Sequence, residues 1–117
     1  MRMIPAVPFK TKSSGERKVF DWLRRIDDDS LTAFHSVLTT KQEKKRFGEI
    51  DFLIVGPVGI FVLEVKSGGV HIDEGNWYYG KESKPNREGP FKQADAAFHG
   101  TLNDLKEHFG LELIKQF

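Results

Sequence analysis

The 117-residue sequence predicts an α/β fold, in which helices flank a central mixed β-sheet. Three observations predict it. Residues 48–66 contain two strongly apolar segments joined by a Gly56–Gly59 turn, and their apolar residues fall on both faces, as in strands that other layers cover. Apolar residues also recur at helical spacing after residue 13 and again after residue 90. The predicted order is a helix, three strands, a hairpin, a second helix and the beginning of another strand.

The bulk composition limits the classes of protein to consider. The length corresponds to one domain, residues 1–117, with a real hydrophobic core. No apolar run reaches membrane-spanning length and no signal peptide is evident, so we expect no membrane partner and a cytoplasmic location. Cysteine is absent, which excludes disulfides and thiolate metal sites. The net charge of +1 gives no global argument for nucleic-acid binding, so that argument must come from local clusters.

The chain begins with an arm and a helix. Residues 1–12 are apolar and interrupted by prolines, so we expect an extended arm packed on the domain, with a disordered leader as the alternative. Ser13 and Glu16 have the spacing of a capping box. The apolar stripe that follows consists of Val19, Phe20, Leu23 and Ile26. Glu16 extends the line of this stripe, so it either caps the helix or points toward the sheet.

A strand and a basic segment precede the central hairpin. Residues 31–38 predict a strand, in which His35 is interpreted as an ordinary strand histidine. The next segment carries Lys44, Lys45 and Arg46 just before the strand that holds Asp51. Two interpretations stay open for this segment, a solvated loop and a loop that contacts phosphates.

A second hairpin and a polar loop follow the central hairpin. Residues 70–72 and 77–79 flank a turn and predict two short strands. We expect the aromatic run at 77–79 to cover the sheet rather than to stack on bases. The loop after it carries Lys84 and Arg87.

The second predicted helix begins at Pro90 and ends before Gly110, because proline suits the first helical position and glycine the C-terminal cap. Its predicted buried stripe consists of Phe91, Ala94, Phe98, Leu102, Leu105 and Phe109. Gln93 lies off that stripe, in the first turn, where side chains and backbone amides can face an anion. Residues 111–117 begin another apolar stretch, so we expect a longer full-length protein.

The central hairpin places three charged residues among apolar ones. If Pro57 and Val58 are the two central turn residues, Asp51 lies opposite Glu64, with Cβ atoms about 4.5–5.5 Å apart. Lys66 then lies on the same face as Glu64. A shift of the register by one residue would move Asp51 to the other face.

Two buried carboxylates side by side repel each other, so one becomes protonated or a cation lies between them. Hard oxygen ligands favour Mg²⁺ or Mn²⁺, and the carbonyl of Val65 is a candidate third ligand. Lys66 would then orient or deprotonate an attacking water. The alternative is a metal-free network of buried ion pairs among Asp51, Glu64 and Lys66.

These residues carry a resemblance to a known family. Asp51 followed by Glu64-Val65-Lys66 resembles the core of the PD-(D/E)xK restriction-endonuclease-like nucleases, and nearly the whole chain resembles the narrower nuclease-related domain, or NERD domain. The matching segments are Ser14–Glu16, Gly48–Phe52, Gly59–Gly69, Trp77-Tyr78 and Gly89–Ala94. The chain departs from the broader signature at Ile50, where a proline is typical.

The resemblance implies a restriction-endonuclease-like fold and Mg²⁺-dependent cleavage of DNA. It implies catalytic roles for Glu16, Asp51, Glu64 and Lys66, with Gln93 as an accessory polar residue. The expected metal ligands are Asp51, Glu64, Glu16 and the carbonyl of Val65. The alternative is a non-catalytic nucleic-acid-binding or assembly module with the same fold.

The resemblance also suggests partners. The arm and the short C-terminal end resemble NERD modules that precede bacterial helicase domains, so a helicase domain in the same full-length chain is an expected partner. The candidate DNA-backbone contacts are Lys44, Lys45, Arg46, Lys84 and Arg87. The sequence leaves open RNA as a substrate and a homodimer as the assembly.

Overall fold

The computed structural model describes residues 1–10, 13–39, 48–80 and 89–110. The elements are β1 (Arg2–Ile4), α1 (Ser14–Arg24), β2 (Thr32–Thr39), β3 (Gly48–Gly56), β4 (Gly59–Leu63), β5 (Val70–Asp73), β6 (Asn76–Tyr79) and α2 (Pro90–Phe109). In this part of the chain, no helix combines the length and the apolar character that crossing a bilayer requires.

The described strands form a mixed sheet in the order β1-β2-β3-β4, and β5 and β6 form a separate hairpin. β1 runs parallel to β2, whereas β2, β3 and β4 are antiparallel to their neighbours. The predicted α/β fold class, with helices flanking a mixed sheet, is confirmed. The N-terminal arm contributes β1, whose Met3 pairs with Ala33 of β2 and is buried.

The hairpin of β3 and β4 has the predicted register. Gly56 pairs with Gly59 around the Pro57-Val58 turn, and Phe52 pairs with Leu63. Gly59 has a φ of 144°, which side-chain-bearing residues rarely adopt, so glycine suits this end of the turn.

Two expectations about this hairpin are wrong. β4 ends at Leu63 and does not continue to Lys66. β4 is also the last strand of the described sheet rather than a central one, and Phe61 on it is half-exposed. The apolar run is therefore longer than the paired strand.

One hydrophobic cluster joins α1 to one face of the sheet. Its buried residues are Met3, Phe20, Leu23, Ala33 and Phe52. Phe20 and Leu23 belong to the predicted α1 stripe, but Ile26 lies beyond the end of the helix and is exposed. The cluster fixes the start of α1 relative to β2 and β3.

α2 contacts β2, β3 and β4 and contributes no residue to that cluster. The predicted buried stripe of α2 is correct only in part, because Ala94, Leu102 and Leu105 are half-buried. The buried residues are the small ones, Ala97, Gly100 and Thr101, whereas Phe91 and Phe109 are largely exposed. Small residues three and four positions apart let the helix backbone approach the sheet, so the larger side chains lie around the contact.

The β5–β6 hairpin packs on the start of α2. A Cβ atom on Gly89 would lie 2.5 Å from Nε1 of Trp77, so only glycine fits there. The rings of Trp77 and Phe91 meet edge to face, with centroids 6.0 Å apart. The described contacts of Trp77 are thus with the start of α2, whereas the prediction placed the aromatic run on the sheet. Tyr78 stacks on His71 within the hairpin.

Candidate active site

Asp51 ties the end of β4 to β3. Its carboxylate Oδ2 accepts a hydrogen bond from the backbone N–H of Val65, with a donor–acceptor distance of 2.7 Å. β4 has already ended at Leu63, so this side-chain bond replaces the next step of backbone pairing. The Asp51 side chain therefore holds the segment from Glu64 to Lys66 beside β3.

The pKa values of Asp51 and Glu64 are both raised. Burial is the main cause that raises the pKa of Glu64 to about 7, and the charge of Asp51 adds to it. Burial also raises the pKa of Asp51, against the hydrogen bond from Val65, and the charge of Glu16 raises it further. The charge of Lys66 lowers both pKa values. The structure thus brings both acids into one partly desolvated site.

One carboxylate oxygen at this site lacks a partner. Oε1 of Glu64 is buried and has no hydrogen-bond donor among the described residues. A buried carboxylate oxygen without a donor is costly unless a proton or a cation satisfies it. Two carboxylates suffice for Mg²⁺ or Mn²⁺, since Mg²⁺ keeps several waters and takes one or two carboxylates. The donor set of Asp51 and Glu64 therefore fits such an ion.

Glu16 approaches this site from α1. Oγ of Ser13 accepts a hydrogen bond from the N–H of Glu16 and so caps the helix, as the capping-box spacing predicts. The Glu16 carboxylate points toward the sheet, where Oε2 lies 3.2 Å from Nε2 of His35. Within the described ranges, no three histidine or acidic side chains converge closely enough to hold an ion. Asp51 and Glu64 thus form a pair, with Glu16 beside it.

Gly15 brings the first turn of α1 against the segment that follows Glu64. A Cβ atom on Gly15 would lie 2.7 Å from Cβ of Ser67 and 3.3 Å from Cγ1 of Val65. Ser13 and Ser67 also place their hydroxyl oxygens 3.4 Å apart. The absence of a side chain at Gly15 therefore lets Glu16 come close to the two acids.

Lys66 is exposed at the edge of the site. Its Nζ lies 5.8 Å from the ring centroid of Tyr79. Lys66 makes no ion pair with Asp51 or Glu64 among the described residues, so the alternative of a buried network of ion pairs is not formed there. Its ammonium group thus remains accessible to a ligand.

Of the remaining predicted site residues, the structure describes Gln93. Gln93 is half-buried in the first turn of α2, and no hydrogen bond in the described part of the chain joins its side chain to either acid. The predicted backbone-contacting residues all lie outside the described residues: Lys44, Lys45, Arg46, Lys84 and Arg87.

His35 is a residue whose position the sequence interpretation missed. It is 2% exposed, and both ring nitrogens have partners, the backbone N–H of Phe9 and the carboxylate of Glu16. The sequence contained one indication that His35 is buried: it lies two positions after Ala33, so both side chains are on the same face of the strand. That signal indicates burial but does not identify the partners.

Comparison with known proteins gives one match. The model of a family described as nuclease-related domain matches residues 11–115, nearly the whole chain. No curated protein and no solved structure matches the chain significantly.

Proposed function

We infer the function of this chain from its membership of a family: it belongs to the nuclease-related domain (NERD) family, so its function is nuclease-related and involves nucleic acid. We propose that it is a metal-dependent nuclease that hydrolyses phosphodiester bonds of DNA. The observation that carries the proposal is the partly buried pair of Asp51 and Glu64, in which Oε1 of Glu64 has no donor among the described residues. A purely structural strand end has no need of such a pair.

Asp51 and Glu64 would hold the ion, Mg²⁺ or Mn²⁺, with the carbonyl of Val65 as a further ligand. Glu16 does not converge with the two acids among the described residues, so it would have to move toward them to become a ligand as well. When bound, the ion would neutralise the two acids and polarise the phosphodiester. The backbone N–H of Val65 donates a hydrogen bond to Oδ2 of Asp51 at 2.7 Å, and this bond restricts the Asp51 side chain. The restriction supports the proposed role of Asp51 as a ligand. A restricted ligand loses less conformational entropy on binding.

Lys66 would act on the water and the phosphate. In the hydrolysis, the water oxygen forms a bond to phosphorus as the bond to the leaving oxygen breaks, and a proton passes from the water to the leaving group. Lys66 is exposed, and its charge lowers the pKa of both acids, which supports a role in which its ammonium group would orient the water or stabilise phosphate charge. Its contact with the Tyr79 ring restricts the side chain on one side.

The remaining parts of the proposal come from the family resemblance. Gln93 would be an accessory polar residue near the scissile phosphate. The residues that would contact the DNA backbone are Lys44, Lys45, Arg46, Lys84 and Arg87. We further propose a cytoplasmic protein in which a helicase domain accompanies this domain in the full-length chain.

The test is cleavage of single- and double-stranded, linear and circular DNA, with RNA alongside, in Mg²⁺, Mn²⁺ or EDTA. Asp51→Ala should abolish metal-dependent cleavage. Asp51→Asn should do the same while leaving an oxygen that can accept from Val65, so it separates the lost charge from the lost hydrogen bond. Asp27→Ala, at an exposed acid beyond the end of α1, is the control and should keep the activity.

Wild-type cleavage no faster than that of Asp51→Ala would overturn the proposal. Salt-dependent DNA binding without cleavage in Mn²⁺ would instead favour a non-catalytic nucleic-acid-binding module. Among the described residues, Glu16 does not converge with Asp51 and Glu64 but lies beside His35, which favours this second function. DNA binding and DNA cleavage should therefore be measured on the same samples.

A further inference from the structure

His35 is the most deeply buried titratable side chain near the candidate site. It lies on β2 opposite Phe52, and the two rings stack with centroids 4.9 Å apart. Phe20 of α1 meets the same imidazole edge to face at 5.5 Å. An imidazole in such an aromatic environment is costly unless both ring nitrogens form hydrogen bonds. Both ring nitrogens of His35 have such a partner.

The two partners determine the tautomer of His35. The backbone N–H of Phe9 lies 3.2 Å from Nδ1, and a backbone N–H can only donate, so Nδ1 must accept. The proton of a neutral ring is then on Nε2, which lies 3.2 Å from Oε2 of Glu16 and donates to it. A directed chain of hydrogen bonds thus runs from the N-terminal arm through His35 to Glu16.

We propose that His35 is a positioning residue that, with the backbone N–H of Phe9, holds the Glu16 carboxylate beside Asp51 and Glu64. This inference rests on the proposed nuclease function. The Glu16 side chain is 15% exposed, and its charge raises the pKa of Asp51, so its placement bears directly on the paired acids. His35 touches neither of those acids through a described hydrogen bond, so it acts through Glu16.

The first test uses two variants of His35. His35→Phe keeps an aromatic ring to pack against Phe20 and Phe52 but removes both hydrogen bonds, and we expect kcat/KM for cleavage to fall about 10–100-fold, as is usual when the partner of a metal-site ligand is removed. His35→Gln supplies an amide N–H toward Glu16 and should recover part of that loss. His71→Phe, at an exposed histidine of the β5–β6 hairpin, is the control and should leave kcat/KM unchanged.

A double-mutant cycle separates positioning from general support of the fold. In a Glu16→Gln background, His35→Phe should cause no further loss of kcat/KM, because the group that it positions has already been changed. Losses that multiply in the double variant would overturn the inference.

The tautomer can be tested without any cleavage. Imidazole ¹⁵N NMR of the metal-free protein should show Nδ1 without a proton and Nε2 with one. Phe9→Pro removes the donor and should shift the Nδ1 resonance, whereas Phe9→Ala keeps the N–H and should not. Glu16→Gln should shift the Nε2 resonance. A proton on Nδ1, or an Nε2 resonance that ignores Glu16→Gln, would overturn the inference. Absence of cleavage with this spectrum intact would refute the proposed function alone.

Discussion

A missing Cβ atom permits a close contact at the start of each described helix, but the two contacts join different kinds of surface. At Gly15 the first turn of α1 meets Val65 and Ser67, and the groups brought together are polar and charged. At Gly89 the start of α2 meets the Trp77 indole, and the groups brought together are aromatic. We call these the α1 contact and the α2 contact. The comparison teaches that the same device can assemble a site or simply pack two elements.

The chemistry beside each contact explains the difference. The α1 contact lies next to Glu16 and the pair of Asp51 and Glu64. Burying these two acids is costly, and the metal ion that we propose would offset that cost. The described α2 contact contains no such acid, and burying the indole against a glycine is favourable in itself.

Breaking the α2 contact should cost stability and little else. In Gly89→Ala the new Cβ atom would lie within 2.9 Å of three indole atoms, so Trp77 must move. We expect a loss of about 1–3 kcal/mol in the free energy of unfolding, typical of overpacking. Urea denaturation measures it. Cleavage per folded molecule should stay near the wild-type rate, and a specific loss of activity in a fully folded sample would contradict this difference between the two contacts.

Breaking the α1 contact should cost activity more than stability. Gly15→Ala places a Cβ atom 2.7 Å from Cβ of Ser67, which pushes the first turn of α1 and Glu16 away from the site. The better helix propensity of alanine, worth up to about 1 kcal/mol, offsets part of the strain. We therefore expect a small change in unfolding free energy and a marked fall in kcat/KM.

Ser67→Gly provides a matched rescue of that variant. It removes the Cβ atom that a side chain at Gly15 would strike, leaving only the 3.3 Å contact with Val65. The double variant Gly15→Ala/Ser67→Gly should regain most of the activity. If it remains as slow as Gly15→Ala, the contact with Ser67 is not what places Glu16.

The smallest effect is a pH dependence of stability that comes from the acids beside the α1 contact. The pKa of Glu64 rises from an ordinary 4.5 to about 7 in the folded protein, chiefly because the group is buried. The folded state then binds a proton that the unfolded state has released, so stability falls as pH rises from about 4.5 to 7. The raised pKa of Asp51 acts in the same direction.

Denaturation in EDTA across this pH range measures the effect. Glu64→Gln should flatten the slope, whereas Asp27→Asn, at an exposed acid beyond the end of α1, should retain it. The change is modest because Glu64 is only half-buried and solvent screens its charge. A stability that rises over this range in the wild type, or a slope that survives Glu64→Gln, would contradict the assignment.

Much of the fold could be predicted from local patterns. The Pro57-Val58 turn set the register of β3 and β4, and with it the pairing of Phe52 with Leu63, because a tight turn fixes which residues face each other. The Ser13 cap of α1 also followed from spacing, since Ser13 and Glu16 are neighbours on one helical turn. Both are short-range features, so residues close in the sequence decide them.

Predictions that depended on distant partners were less successful. The large apolar residues of α2 suggested a buried stripe, but the sheet accepts Ala97, Gly100 and Thr101 because only small side chains permit the close approach. The apolar run after Gly59 suggested a strand through Lys66, but the Asp51 carboxylate takes the Val65 N–H and pairing ends at Leu63. In each case another element competed for the same surface or hydrogen bond.

Local patterns in the sequence were enough to predict the register of the β3–β4 hairpin and the capped start of α1, but not that Glu64 and Lys66 lie beyond the end of β4. The register and the cap are local features, because they follow from a turn, the alternation of a strand and the spacing of a cap. Only the tertiary structure decided which way Glu16 points and that His35 and Phe9 hold it there. Those three residues belong to the arm, to α1 and to β2, so only the packing of these elements brings their hydrogen-bonding groups together.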